Sequence, residues 1–407
     1  MLRKHVLSAS VSALILAAAP VAAYDNVLTG LIPDLFAGLD VVSRELVGFI
    51  PSVARNSTAE RAAVGEAVKY HVTRAANVSD ITPSMTIPEP TNQTVDNGSV
   101  VITKSRAAEF GFTGEEQKGL NNGPGALSVQ ADMFAQALRA LVNEIESDLA
   151  ATAYKAASRA TGTAGTTPFA TTLGDTAQLR KILDDNGAPL GERQMVGSTA
   201  TGAALRTLGQ LTKANEAGNT MTLTDGALIN LHGFNIKESG QAKSHTKGTA
   251  ASATTNNAGY AVGATVITLA AVGTGTILAG DVITFTGDTN KYIVVSGDAD
   301  VSNGGTITIA KPGLRVAIAA SATNITVGNS YTANVGFVRS AIQLAMRAPA
   351  LPDGGDAADT RFQLTDPRSG LTFEVSAYGG YRKRRFEVAA AWGTKAVKEE
   401  FIAALLG

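Results

Sequence analysis

LSVQADMFAQALRALVNEIESDLAATAYKAASRATG, residues 127–162, decides how the rest of the chain is read. Phe134, Leu138, Leu141, Ile145, Leu149 and Ala153 recur at steps of three and four, the spacing of one helix face. Ser128 stands where an N-cap belongs, and Gly162 stands where the helix should stop. At 1.5 Å per residue, about thirty residues of helix span roughly 45 Å. The segment 124–165 therefore reads as a spine.

Upstream of the spine the chain is extended and polar. EAVKYHVTR (66–74) places Val68, Tyr70 and Val72 at period two, as in a half-buried strand. DITPSMTIPEPTNQTVDNG (80–98) follows, and Pro83, Pro88 and Pro90 exclude helix and most ladder bonds. SVVITKSRAAEFGFT (99–113) then resumes strand character. Residues 61–123 thus read as a hairpin around a proline-rich tip, with apolar faces too sparse to stand alone in water.

Before it, Leu28, Leu31, Ile32, Leu35, Phe36, Leu39, Val42 and Leu46 define one helix face, with Thr29 as cap, Pro33 in the first turn and Pro51 as stop. Residues 24–60 read as an arm whose stripe docks elsewhere. The first 23 residues look like a secretory leader. Arg3 and Lys4 precede an apolar stretch, and small residues at Val21 and Ala23 suit cleavage before Tyr24.

Downstream, TLGDTAQLRKILDDNGAP (172–189) is a helix stopped by Asp185, Asn186 and Gly187, and STATGAALRTLGQL (198–211) is another. Near residue 240 the composition changes. From Ala251 to Ala310 the charged residues are Asp281, Asp288, Lys291, Asp298 and Asp300. Short β-branched runs (ATVITLAAV, DVITFTG, KYIVVSG, GGTITIA, TNITVG) alternate with Gly, Asp and Asn turns, as in a small antiparallel barrel. Residues 240–328 read as a β-domain inserted into a central domain made of 166–239 and 329–407. After it, VGFVRSAIQLAMRAP (335–349) reads as helix. Residues 362–393 read as a two-strand hairpin around Pro367, Ser369 and Gly370, and KAVKEEFIAALLG (395–407) as a closing amphipathic helix. The fold class is α+β.

The chain's 407 residues are enough for two or three domains. Lys plus Arg is 34 and Asp plus Glu is 35, so no global charge draws it to nucleic acid or an anionic membrane. Cysteine is absent, which excludes a disulfide scaffold, a cysteine zinc site and a thiol nucleophile. After Ala23 no apolar run approaches the ~20 residues that span a bilayer.

Catalytic chemistry has no anchor in the sequence. His5, His71, His232 and His245 show no metal-ligand spacing, and His232 beside Gly233 reads as a turn residue. Phosphate-loop, dinucleotide, nucleophile-elbow and zinc-protease patterns are missing. DADVSNGG (298–305) lacks the sixth-position Gly of a calcium loop and has Ile309 where its Glu belongs, so it reads as a turn. Glu115 and Glu116 are adjacent and read as a solvated pair. YRKRR (Tyr381–Arg385) is the one dense basic run. A strand would send Arg382 and Arg384 one way and Lys383 and Arg385 the other, leaving at most a non-specific nucleic-acid contact. Asn-x-Ser/Thr triplets at Asn56, Asn77, Asn92, Asn97 and Asn324 are expected by chance in so threonine-rich a chain. No catalytic, cofactor-binding or metal-binding residues are assigned, and no cofactor is expected.

The order of these elements resembles the major capsid (coat) proteins of tailed bacteriophages, the Hong Kong ninety-seven fold, in the podophage-type family that carries an inserted β-barrel. The resemblance runs from about Asn26 to Leu406. It rests on NVLTGLIPDLFAGLDVVSRELVGFIPSV as the arm and on LDDNGAPLGERQMVGS with its Ala-Pro-x-x-x-Arg run. AGDVITF, YIVVSG and ITIAKPGLRVAI match as inserted strands. FVRSAIQLAMRAPALPDGG and SGLTFEVSAYGGYRKRRFEVAAAWGTKAV match as the return through the central domain. It implies self-assembly into pentamers and hexamers of an icosahedral shell, with scaffolding and portal proteins as partners. It further implies packaged DNA touched only non-specifically, no membrane, no catalysis, and a place in the virion after assembly in the host cytoplasm. Residues 1–23 are extra to the family and read as an over-extended start, a cleaved leader or an arm extension. They support the alternative, an exported bacterial surface or adhesion protein.

Overall fold

A computed structural model of the chain describes residues 47–72, 78, 80–87, 89, 96–121, 126–212, 228, 230–365 and 370–407. The expected leader, the arm helix over Leu28–Leu46 and the turn residues Pro367 and Ser369 lie outside the described residues. Pro51 sits in a single 3-10 turn, Ile50–Ser52. Four strands follow: β1 (Ala54–Ala62), β2 (Ala67–Val72), β3 (Asp96–Val101) and β4 (Lys104–Thr113). Strands β2 and β3 pair antiparallel as a hairpin. Strand β4 does not belong to it. It continues past Thr103 into a larger sheet, so the hairpin is shorter than 61–123.

After α1 (Gly114–Asn121) comes the spine, α2 (Ala126–Lys155). The helix begins two residues before Ser128, so that residue is not its cap. It ends at Lys155, seven residues before Gly162. The intervening chain is β5 (Arg159–Gly162), and Gly162, at φ 86°, turns the chain out of that strand. The stripe Phe134, Leu138, Leu141, Ile145, Leu149 and Ala153 is buried as its spacing requires. Burying each large member contributes about 1.5–3 kcal/mol.

Next are α3 (Gly174–Asp185), β6 (Arg193–Gly197), α4 (Thr199–Thr207), α5 (Gly209–Thr212), β7 (Asn235–Glu238) and β8 (Ser244–His245). Helix α3 stops at Asn186 and Gly187. Gly187 has φ 72°, its N–H donates to Asp184 O at 3.0 Å, and the Ala188 N–H donates to Leu183 O at 2.9 Å. Those two bonds are the Schellman pair that a C-terminal glycine permits. Helix α4 is capped by Ser198, whose Oγ accepts from the Thr201 N–H.

The β-branched runs become β9 (Val266–Leu269), β10 (Val282–Phe285), β11 (Lys291–Ser296), β12 (Gly305–Ile309) and β13 (Ile325–Val327). Pairing runs β9–β12–β11–β10–β13, and residues 253–256 bridge the two ends. Thr255 pairs with Leu269 on one side and Thr254 with Asn324 on the other, which closes a ring around Ile267, Ile283, Tyr292, Val294 and Ile307. The ring is joined to the body: Lys291 and Tyr292 of β11 pair with Ala160 and Arg159 of β5.

The remainder is strand: β14 (Tyr331–Val338), β15 (Ile342–Pro349), β16 (Ala358–Thr365), β17 (Thr372–Gly380), β18 (Lys383–Ala396) and β19 (Ile402–Leu406). Three expectations are corrected here. Residues 335–349 are two strands, not a helix. Ile342, Leu344 and Met346 face the spine side, while Ala345 and Arg347 are also buried, and the four-residue recurrence of Arg339, Gln343 and Arg347 imitates the polar face of a helix. The segment 362–393 contributes to three strands, because Tyr381 and Arg382 make an additional tight turn with Arg382 at φ 55°. The closing helix is instead a 3-10 turn (Glu399–Phe401) and a buried strand, β19, parallel to β5 and antiparallel to β14.

Two sheets result. β1, β15, β18, β17, β16 and β4 form the first, and α2 packs on it through Phe110, Phe134 and Phe386, whose ring centroids lie 4.7–6.1 Å apart. The path β13–β10–β11–β5–β19–β14–β6–β7 is the second, with β8, β9 and β12 attached to its side.

Candidate assembly site

Glu146 fixes where the N-terminal segment joins the body. It lies on α2 beside the apolar stripe and is fully buried. Its Oε1 accepts from the Gly48 and Phe49 N–H groups and from Ser239 Oγ, all at 2.7 Å. Its Oε2 accepts from the Ile50 N–H at 2.9 Å. Four donors compensate the desolvation of one carboxylate, as a buried charge requires. A Cβ at Gly48 would lie 2.6 Å from Glu238 O, so only glycine passes there. Lys237 Nζ donates to Ser52 Oγ at 3.1 Å. Burial, reinforced by Arg339 and Arg55 and opposed by Glu146, holds the Lys237 amine below its ordinary value.

The hairpin has a fixed base and a bare tip. Val100 and Ile102 are buried with Ala62, Ala345 and Ala391, and Val68 and Tyr70 pack beside them, so the base lies on the first sheet of its own chain. The backbones come very close: a Cβ on Gly393 would meet Val101 O at 2.0 Å. Lys395 Nζ donates to Ser99 O at 2.9 Å. Beyond the base, Val78, Ile81, Met85 and Ile87 are each at least 95% exposed.

Two of the four basic residues of the run, Arg384 and Arg385, are ion-paired. Arg385 pairs with Glu109 and Glu387, and Arg384 reaches Asp359 at 3.4 Å. Arg382 sits at the β17–β18 turn, its guanidinium 5.6 Å from the Tyr381 ring centre. Glu116 is no acid–base partner of Glu115. It accepts from the Thr113 N–H while its own N–H meets Thr113 Oγ1, the reciprocal pattern that starts a helix.

His232 occupies a turn at φ 49°, with Nδ1 2.6 Å from Thr176 Oγ1. Residues 298–305 are the turn between β11 and β12, and Asp300 caps a 3-10 turn at Val301–Asn303. His5 and the His71 side chain lie outside what is described. His245, given no role from sequence, lies 2.8 Å from buried Asp281. Neither that pair nor Glu146 carries a sequence signal, because the partners lie 36 and up to 98 residues apart. Among the described residues no group of three His, Cys, Asp or Glu side chains is placed to hold a metal ion. No described helix is long and apolar enough to cross a membrane.

No protein-family model matches the sequence, and neither does any curated protein. Among solved structures, the chain is similar to the capsid of the cyanophage P-SCSP1u, at 12% identity, 89% of this chain, 88% of that chain and a TM-score of 0.46. It is similar to a chain of Mycobacterium phage Che8 at 14% identity, 84% of each chain and a TM-score of 0.43. A virus-like particle from Pyrococcus furiosus is similar at 10% identity, 93% of this chain, 100% of that chain and a TM-score of 0.42.

Proposed function

We propose that the chain is the coat subunit of a tailed-phage shell, with a structural rather than a catalytic role. The observation that carries this reading is the hairpin. Its base is pinned to the first sheet while Val78, Ile81, Met85 and Ile87 stand in water. Exposed apolar residues of this kind mark an interaction surface, which on this reading lies against another copy of the chain. The five resembling stretches, which follow the family's order along the sequence, support the same reading. With it come pentamers and hexamers as the assembly units, scaffolding and portal proteins as partners, only non-specific contact with packaged DNA, and assembly in the host cytoplasm. The extra residues 1–23 precede the docking stripe at Leu28 and are dispensable for assembly on this reading.

The test is electron microscopy of the full chain co-expressed with a scaffolding protein. Closed shells are expected. A folded protein that stays monomeric in every preparation sinks the proposal. Amide exchange across residues 67–101 adds a second readout: slow in shells and fast at the tip in free subunits. Equal protection in both states removes the hairpin from the contact.

A further inference from the structure

Away from the assembly features, one cleft of about 200 Å³ gathers cations and neutral donors where β5, α3 and the β10–β11 turn meet. Arg159, Gln178, Lys181, Asn290 and Lys291 line it. Arg159 is only 5% exposed. Its Nη1 donates to Asn290 Oδ1 at 3.1 Å, and Nη2 reaches Asp185 Oδ2 at 3.1 Å and the Ile182 carbonyl and Asn186 Oδ1 at 3.4 Å. Its Nε is buried and meets no acceptor, an arrangement that native interiors rarely leave uncompensated. Lys291 Nζ donates to a neutral group, the Gly162 carbonyl, and has no carboxylate partner among the described residues. Lys181 is mostly exposed and lies 3.7 Å from Asp185. Two carboxylates oppose these three cations. Asp185 is shared by Arg159 and Lys181, and Asp288 is occupied by Asn290 and Tyr292. Positive charge is left over.

We propose that this cleft binds a phosphate group. A carboxylate is matched by one guanidinium fork, and the fork of Arg159 is already turned toward Asn290 and Asp185. What remains is two ammonium groups and the Gln178 amide, point donors from two elements (Gln178 and Lys181 on α3, Lys291 on β11), which suit a tetrahedral oxyanion. Lys181 comes from α3 and Lys291 from the β-ring, so one bound phosphate ties the ring to the body. The inference stands independently of the shell reading. Its two sources are free inorganic phosphate and the phosphodiester of a nucleic acid.

Calorimetric titration of the full chain with inorganic phosphate, in chloride buffer, tests it. Saturable binding is expected. Lys181→Gln should weaken it about tenfold, the worth of one hydrogen bond to a charged group, without moving the melting temperature in phosphate-free buffer. Lys291→Gln should weaken it further. A short DNA duplex that competes with phosphate identifies the backbone phosphodiester as the source, and one that does not compete leaves free phosphate. No saturable binding to the native protein, or binding unchanged in both variants, overturns the proposal.

Discussion

His245 Nε2 lies 2.8 Å from Asp281 Oδ1, in the seam where β8 meets the β-ring. Asp281 is fully buried and also accepts from the Gly248 and Leu278 N–H groups, so one carboxylate joins two chain segments, 245–248 and 278–281. Tyr154 of the spine and Tyr331 pack on the imidazole, with ring centroids 5.6 and 5.4 Å away. Burial, with Tyr154 and Asp281 adding to it, pushes the Tyr331 phenol far above its ordinary value, so it stays a neutral donor to Gly280 O. Asp281→Ala strands several buried donors and should cost about 3 kcal/mol or more. His245→Ala removes one partner and should cost less. Chemical denaturation of both variants checks the order, and equal losses would contradict it.

The junction at Glu146 gives a second expectation. Glu146→Gln keeps the shape but turns an N–H₂ toward backbone N–H donors, so stability should fall by about 3 kcal/mol. Limited proteolysis near residues 48–50 should accelerate. A variant as protease-resistant as the native chain would show that the carboxylate does not hold this segment.

Gly393→Ala places a methyl group against Val101 O, a backbone atom that has no rotamer to move. The hairpin base should lift from the first sheet. Hydrogen exchange should quicken over β2 and β3 while β16, at the far edge of the first sheet, keeps its rate. Unchanged exchange in β3 counts against the close approach as the pin.

Acid should reveal an exposed ion pair. Arg361, hydrogen-bonded to Asp356, holds its carboxyl at about 2, below the usual 3.8, with further help from the Ala358 N–H and Tyr378. A lowered carboxyl value favours the native state above the unfolded value and loses that contribution as pH falls toward the folded one. The melting-temperature gap between the native chain and Asp356→Asn should therefore be present at pH 5 and shrink between about pH 4 and pH 2. A gap that does not change over that range removes the pair from the acid response.

Elements with a single buried face were legible in the sequence. The α2 stripe from Phe134 to Ala153, the stop at Asn186 and Gly187, and the five β-branched runs all fold as their spacing indicates. Strand mistaken for helix falls on elements covered on two sides. Arg339, Gln343 and Arg347 recur every four residues, the spacing of a polar helix face, although Ile342–Pro349 is a strand, and Ile402–Leu406 is apolar at every position and keeps no polar half of a period. The assembly site was half legible. Pro83 marked the hairpin tip as an arm, but its anchoring onto Ala345 and Ala391 depends on strands remote in sequence. Glu146, on helix α2, carries no signal in the sequence. Only the folded chain shows that the shoulder of that helix faces backbone amides.

Strand β19 sits between β5 and β14, with β5 holding the ring and β14 leading to β6 and β7. During synthesis, every other strand of that sheet emerges before Ile402–Leu406 does. The two halves of the sheet therefore wait, unjoined, for a strap that is made after them. A chain that stops before Ile402 lacks the one strand that bonds to both β5 and β14. Closure of that sheet therefore waits on the translation of Ile402–Leu406.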